Sequence, residues 1–217
     1  MTRIYALYAL FFSVSVGVSY TAFMYAPAAE GLGESSRILY LHVPAAWMSV
    51  LSFCSSGFFA VWFLLSRKMK HGLLMHAGAE LGMLCIIAAT VSGAVWAHEA
   101  WGVFWNWDIR QTTVALVLLI YAGYFAIPSR SSSSDIPRAG YLAVSAVLVP
   151  LFVFVFPRMY PTLHPSPVIT QSGEIHLDMA MRFAFVLSLF LYSILFIVLY
   201  RLCYRLLLLS HSIREEK

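Results

Sequence analysis

Six apolar runs divide this chain of 217 residues, at 4–26, 38–65, 73–96, 112–127, 140–156 and 183–208. A helix needs about 20 apolar residues to cross the hydrocarbon of a bilayer. The fourth and fifth runs are short, and their ends are expected to extend into the flanking residues. None shows the strict alternation that a strand of a transmembrane barrel requires. Composition leads the same way, since 61% of the residues are hydrophobic and only 11% are charged. Soluble domains carry about 25% charged residues, so this chain cannot cover a water-facing surface with polar groups. The expected fold class is an all-α membrane protein, one integral membrane domain over 1–217 built as a bundle of six transmembrane helices. Ala26-Pro27-Ala28 is faintly like a cleavage site. The run before it is longer than the roughly 7–15 residues of a signal-peptide core, so an uncleaved first helix is expected.

Loop charge sets the orientation. One side of such a bundle holds Arg3, Arg67, Lys68, Lys70, Arg130, Arg138, Arg201, Arg205, Arg214 and Lys217. The other holds only Arg37, Arg110, Arg158 and Arg182, with the acids Glu30, Glu34, Glu99, Asp108, Glu174 and Asp178. Excess Lys and Arg marks the cytoplasmic side, so both termini are expected in the cytoplasm and the loop after the third run on the outer, periplasmic face. The cytoplasmic connections, 67–72 and the serines at 131–134 closed by Pro137, have no room for an enzyme domain. The basic tail after Tyr200 is either a helix end against anionic lipid or simply solvated. Membrane lipid is the expected surroundings, and no nucleic acid is expected.

Several chemistries are absent. Cys54, Cys85 and Cys203 stand inside apolar runs with no paired spacing, which argues against a disulfide framework. There is no CxxCH for covalent heme attachment, no HExxH, and no GxxxxGK[ST] to bind ATP. Glu80, near the cytoplasmic end of the third run, is the one acid inside an apolar segment. It is a functional suspect or a structural or subunit contact.

The outer face carries what remains. "WGVFWNWDIRQTT", from Trp101 to Thr113, packs three tryptophans and a phenylalanine ahead of an Asp–Arg pair. An interfacial aromatic belt accounts for one or two tryptophans. Three, each with an N–H that needs a partner, fit a platform for something flat better. His42, His98, His164 and His176 fall on this side. His42 lies near the outer end of the second run, two residues before Pro44, and His164 lies among Pro161, Pro165 and Pro167 in a stiff loop. Each is either a ligand or an ordinary hydrogen-bonded histidine. Together they suggest a porphyrin iron held by two neutral imidazoles, above Trp101, Phe104, Trp105 and Trp107. Gly102 allows close approach, and Arg110, Arg37 and Arg158 are available for carboxylates. Asp108 is an anion with a task or the N-cap of the fourth helix.

The stretch "WGVFWNWDIRQT" resembles the tryptophan-rich WWD signature of heme-handling proteins of cytochrome c biogenesis. "RILYLHVPAAWMS" and "YPTLHPS" are similar to the two histidine segments of the heme exporter protein C (CcmC) family, and the resemblance spans Arg37 to about Pro165. It implies heme b held non-covalently, with His42 and His164 as axial ligands and a platform of Trp101, Gly102, Trp105, Trp107, Asp108 and Arg110. The implied partners are CcmA, CcmB and CcmD, with handover to the heme chaperone CcmE. It also implies a heme-transfer subunit of an ABC transporter complex in the bacterial inner membrane, with ATP hydrolysis left to a partner. Phe104 departs from the pattern, since many relatives have Trp there. It keeps the stacking surface but loses an indole N–H.

Other readings compete. The CcsA-type proteins of the other maturation system share the WWD motif but are usually longer. An electron-transfer cytochrome b would place histidine pairs inside the bilayer, and no apolar run here has a histidine near its centre. A transporter with an aromatic gate would want polar groups at the midplane, which these runs barely offer.

Overall fold

The computed structural model describes residues 2–29, 32–128, 135–164 and 177–215. Glu30, Arg130, the serines at 131–134, Pro165, Pro167, Glu174, His176 and Lys217 lie outside the described residues. Helix α1 (Thr2–Tyr20) continues into a π-helical turn, Thr21–Tyr25, and a 3-10 turn, Glu34–Ile38, leads into α2 (Leu39–Ser66). Helices α3 (Met69–Trp101) and α4 (Ile109–Ala126) follow. Helix α5 (Ile136–Pro150) runs through a second π-helical turn, Leu151–Val155, into the short α6 (Phe156–Met159). Helix α7 (Met179–Glu215) closes the chain. Among the described residues, six helical segments are long and apolar enough to cross a membrane.

The helix ends follow local chemistry. Arg67, in the left-handed region at φ 56°, ends α2, and its N–H bonds the Phe63 carbonyl at 2.8 Å. Gly102, at φ 77°, ends α3 with its N–H on the His98 carbonyl at 2.8 Å, the left-handed stop for which glycine is favoured. A Cβ at Gly102 would meet nothing within 4 Å. The glycine is therefore there for its backbone angle.

Helices α2 and α3 form the central hairpin. Helix α2 also packs on α5 and α7, α3 on α4 and α7, and α1 chiefly on α7. With lipid outside, helices gain little from hiding apolar surface, so close backbone approach matters more. Gly78 makes that approach possible: a Cβ there would lie 2.8 Å from the Ser52 carbonyl oxygen and 2.9 Å from the Ser56 nitrogen. The Ser56 hydroxyl donates to the Met75 carbonyl across the same seam at 2.8 Å. Beside it Phe53 stacks on Tyr121 with centroids 3.6 Å apart, inside the largest core cluster.

Polar contacts gather at the two ends of the bundle. At one end, His76 of α3 bonds the Tyr124 hydroxyl and, at 2.9 Å, the Asp135 carboxylate, joining α3, α4 and the start of α5. Tyr200 of α7 donates to the Leu74 carbonyl at 2.7 Å on the same end. The loop 102–108 and residues 160–164 meet at the other end. Helix α7, at 37 residues, is about 55 Å long at 1.5 Å per residue, so it projects well beyond a hydrocarbon core of about 30 Å.

Gly78→Ala is expected to lower the unfolding temperature of the detergent-solubilised protein. Overpacking at a backbone seam costs about 1–3 kcal/mol and outweighs the roughly 1 kcal/mol that alanine gains in helix propensity. Gly140→Ala, where a Cβ meets nothing within 4 Å, is expected to leave that temperature unchanged or slightly raised.

Candidate functional site

The last turns of α3 act as a spine. Ala89, Ser92 and Gly93 face His42, and one turn further on Trp96 and then Trp101 face His164. Because an α-helix rises about 5.4 Å per turn, the two imidazoles lie against successive turns of one helix. His42 Nδ1 is 2.9 Å from the Ala89 carbonyl oxygen and 3.2 Å from the Ser92 hydroxyl. A carbonyl only accepts, so the neutral ring bonds it through Nδ1–H, which leaves the Nε2 lone pair without a partner among the described residues. A Cβ on Gly93 would sit 2.8 Å from His42 Cε1, so only a glycine leaves the ring its place.

Asp108 organises the other histidine. Its carboxylate accepts the Arg110 N–H at 2.9 Å, which caps α4, and the Leu163 N–H at 2.7 Å. It also accepts the Thr162 hydroxyl, at 2.8 Å, and His164 Nδ1–H at 3.0 Å. The N–H of His164 closes the turn on Thr162 Oγ1 at 3.2 Å. Asp108 is therefore the N-cap of α4 and, at the same time, the acceptor for the 162–163 turn and the His164 ring. His164, like His42, is left with Nε2 unprotonated. Its ring meets Trp101 edge-on at 5.0 Å between centroids and Trp96 at 5.6 Å.

The aromatic loop is pinned from α4 and from within. Gln111 accepts the Asn106 N–H at 3.0 Å, Asn106 Oδ1 accepts the Asp108 N–H at 3.0 Å, and Thr112 donates to the Trp107 carbonyl at 3.1 Å. These bonds hold Trp107 at φ 61°, a conformation that costs a bulky residue about 1–3 kcal/mol. The result is an indole 74% exposed, its ring edge-on to Trp105 at 5.8 Å. Phe104, also exposed, stacks on His98 at 4.3 Å. Rings this open, beside buried polar anchors, form a surface ready to cover a flat apolar partner.

The three candidate arginines differ. Arg110 has its Nε buried with no partner among the described residues. Arg37 donates to Glu34 at 2.5 Å and to the carbonyls of Ala22 and Ala26 at 3.2 and 2.5 Å. Those carbonyls are the ones left open where the first π-helical turn ends, so Arg37 fastens α1 to α2. It also lines a cavity of about 360 Å³ with Phe23, Leu41, Val95 and Trp96. Arg158 is exposed and bonds the Phe154 carbonyl at 2.6 Å.

Electrostatics keep the pair in working form. Burial opposes the Asp108 anion, yet the Arg110 and Leu163 N–H groups, the Thr162 hydroxyl and His164 outweigh it, and the carboxyl stays below its ordinary pKa. Burial pushes His164 below its ordinary pKa, Asp108 pulls it partly back, and Arg110 pushes it down again. Neutral imidazole beside carboxylate is the state at neutral pH.

The structure therefore brings together His42, Trp101, Asp108, Arg110 and His164. Phe104, Trp105 and Trp107 lie on the loop between Gly102 and Asp108, and Arg37 lies at the α1 junction, lining with Trp96 the cavity next to it. Residues not singled out in the sequence complete the arrangement. Gly93 and Ala89 set His42, Thr162 sets the His164 turn, Gln111 pins the loop, and Trp96 packs against the His164 ring. Thr162, two residues before His164, carried a local signal, whereas Gly93 and Ala89 carried none.

The model of the family described as heme exporter protein C matches residues 1–217. A cytochrome c biosynthesis ccmC-like mitochondrial protein of Marchantia polymorpha is 34% identical over 161 residues, 74% of this chain and 69% of that protein. Heme exporter protein C of Haemophilus influenzae is 30% identical over 193 residues, 88% of this chain and 78% of that protein. The Rhodobacter capsulatus protein of the same name is 28% identical over 180 residues, 82% and 74% of the two chains.

Because the folded value of His164 lies below its unfolded one, the stability of its neutral form is present above about pH 6.5. It is lost as pH falls through the lowered folded value. Asp108→Asn removes the charge that pulls His164 back up, so its titration should move further down. Following the His164 Cε1–H resonance against pH in both proteins checks this, and an upward move would contradict it.

Proposed function

The chain belongs to the heme exporter protein C family, and from that premise we propose that it is the heme-presenting membrane subunit of cytochrome c maturation. A role in heme handling for cytochrome c maturation comes with the family. The finer reading is that heme b is held non-covalently on the outer face of the bacterial inner membrane. His42 and His164 would be its axial ligands, and Trp101, Gly102, Phe104, Trp105, Trp107, Asp108 and Arg110 its surroundings.

The observation that carries this reading is the pair of imidazoles packed against the last turns of α3, each with Nδ1 engaged and Nε2 without a partner among the described residues. Neutral imidazole with a free Nε2 is what iron takes. Arg110, with its unpartnered Nε, suits a propionate. Heme, when bound, supplies a Lewis-acidic iron and a reactive vinyl edge. The chain's own residues bind, orient and leave that edge open, as the exposure of Phe104 and Trp107 suggests. This is positioning rather than turnover by the subunit. With no ATP-binding loop in its sequence, the chain depends on CcmA with CcmB for ATP hydrolysis. CcmD completes the assembly, and the chaperone CcmE is the acceptor. The lysine and arginine excess supports both termini in the cytoplasm and the aromatic loop toward the periplasm.

Absorption spectra of the purified protein, oxidised and reduced, beside His42→Ala and His164→Ala variants, test the site. The expected result is a low-spin two-histidine spectrum in the wild type, lost or turned high-spin in either variant. Heme kept unchanged by both variants would remove these ligands and leave His98 as the next candidate. No heme even with the partner subunits co-expressed would make the tryptophans an interfacial belt. For orientation, a membrane-impermeant thiol reagent applied to intact cells should label Val103→Cys and spare Lys68→Cys.

A further inference from the structure

The two histidines are held by different acceptors. His42 gives its Nδ1–H to a peptide carbonyl, that of Ala89, at 2.9 Å. His164 gives its Nδ1–H to the Asp108 carboxylate at 3.0 Å, and that carboxylate is 98% buried. A charged acceptor draws the ring proton more strongly than a carbonyl and raises the basicity of the opposite nitrogen. The geometry points to an unequal pair of ligands, in which His164, backed by Asp108, is the anchor and His42 is the one that exchanges. This rests on the heme reading above and adds to it an order of release.

Backbone context alone would suggest the reverse. His42 rides on a continuous helix of 28 residues, whereas His164 lies in a short non-helical segment. Asp108 removes that disadvantage. The same carboxylate that polarises the ring holds the Leu163 N–H and the Thr162 hydroxyl, at 2.7 and 2.8 Å, so the loop and the imidazole are fixed by one group. Since that group also caps α4, the loop moves only if the helix end does. His42 lacks such backing. Its ring rests on the backbone of Gly93, and the groups on its Nδ1 are neutral. On handover His42 would be the ligand given up first, its lone pair returning to the imidazole with no change of oxidation state, while His164, fixed by Asp108, would keep its hold. Asp108 acts here as a positioning residue.

The experiment uses the full-length protein in detergent, reconstituted with hemin. His42→Gly is expected to keep heme through gel filtration as a high-spin species that imidazole turns low-spin. His164→Gly is expected to bind about 10–100-fold more weakly, the scale on which metal sites lose affinity when their supporting shell is broken. Asp108→Asn should raise the midpoint potential of the bound heme, because a neutral acceptor leaves His164 a poorer donor to ferric iron. A purely structural role for Asp108 would not shift the potential of the heme that remains bound. Equal retention by the two glycine variants, or a potential unmoved in Asp108→Asn, would overturn the proposal. The glycine pair leaves Asp108 intact and decides the matter even if the asparagine variant folds poorly. Failure of the wild type to bind hemin would instead overturn the heme reading itself, and the inequality with it.

Discussion

A buried carboxylate between two loops carries the end of the bundle where the aromatic loop lies. Asp108 accepts hydrogen bonds from the start of α4, from the turn at 162–163 and from the ring of His164. Burying an anion is costly unless its lone pairs are filled, and here both oxygens are. The arrangement is therefore cooperative: each donor makes the carboxylate cheaper to bury, and the carboxylate in turn sets where each donor lies. The 54–56 residues of sequence separating Asp108 from these loop partners become a fixed distance.

Beneath it, α3 serves as a common reference. Its glycines let neighbours approach: Gly78 admits the α2 backbone and Gly93 admits the His42 ring. One continuous helix thus carries both the packing seam with α2 and the residues against which the two histidines rest. Its end at Gly102 releases the aromatic loop, which returns to α4 through Asn106, Gln111 and Thr112. That short excursion exposes large rings and forces Trp107 into a strained backbone angle, which the surrounding hydrogen bonds must offset. Strain of this kind is held at places where a side chain has to be presented rather than buried.

The opposite end follows another logic. His76, Tyr124 and Asp135 join three helices there, with Arg138 lying over the Tyr124 ring at 4.7 Å. Arg138 Nε and Asp135 Oδ1 are buried there without a hydrogen-bond partner among the described residues, and so, at the other end, is Arg110 Nε. The Arg138 guanidinium lies 3.7 Å from the Asp135 carboxylate, so a charge pair closes that end beside the histidine bond.

Much of this was legible in the chain itself. The length and apolarity of the runs dictated membrane-spanning helices, because no other structure satisfies the backbone in lipid. The clustered tryptophans, Asp108 and His164 singled out one end of the bundle, and there Trp101 and Asp108 do meet the His164 ring. Gly102 and Asp108 signalled a helix end and a helix start through local rules of capping. What sequence could not determine were contacts between residues far apart along it. That Asp108 would bond His164, that Gly93 would make room for His42, and that Arg37 would be drawn to the carbonyls of α1 depended on how the helices cross. Capping and hydropathy act over a few residues and can be read there. The tautomer of an imidazole, and the acceptor that sets it, are decided only when packing brings the two segments together.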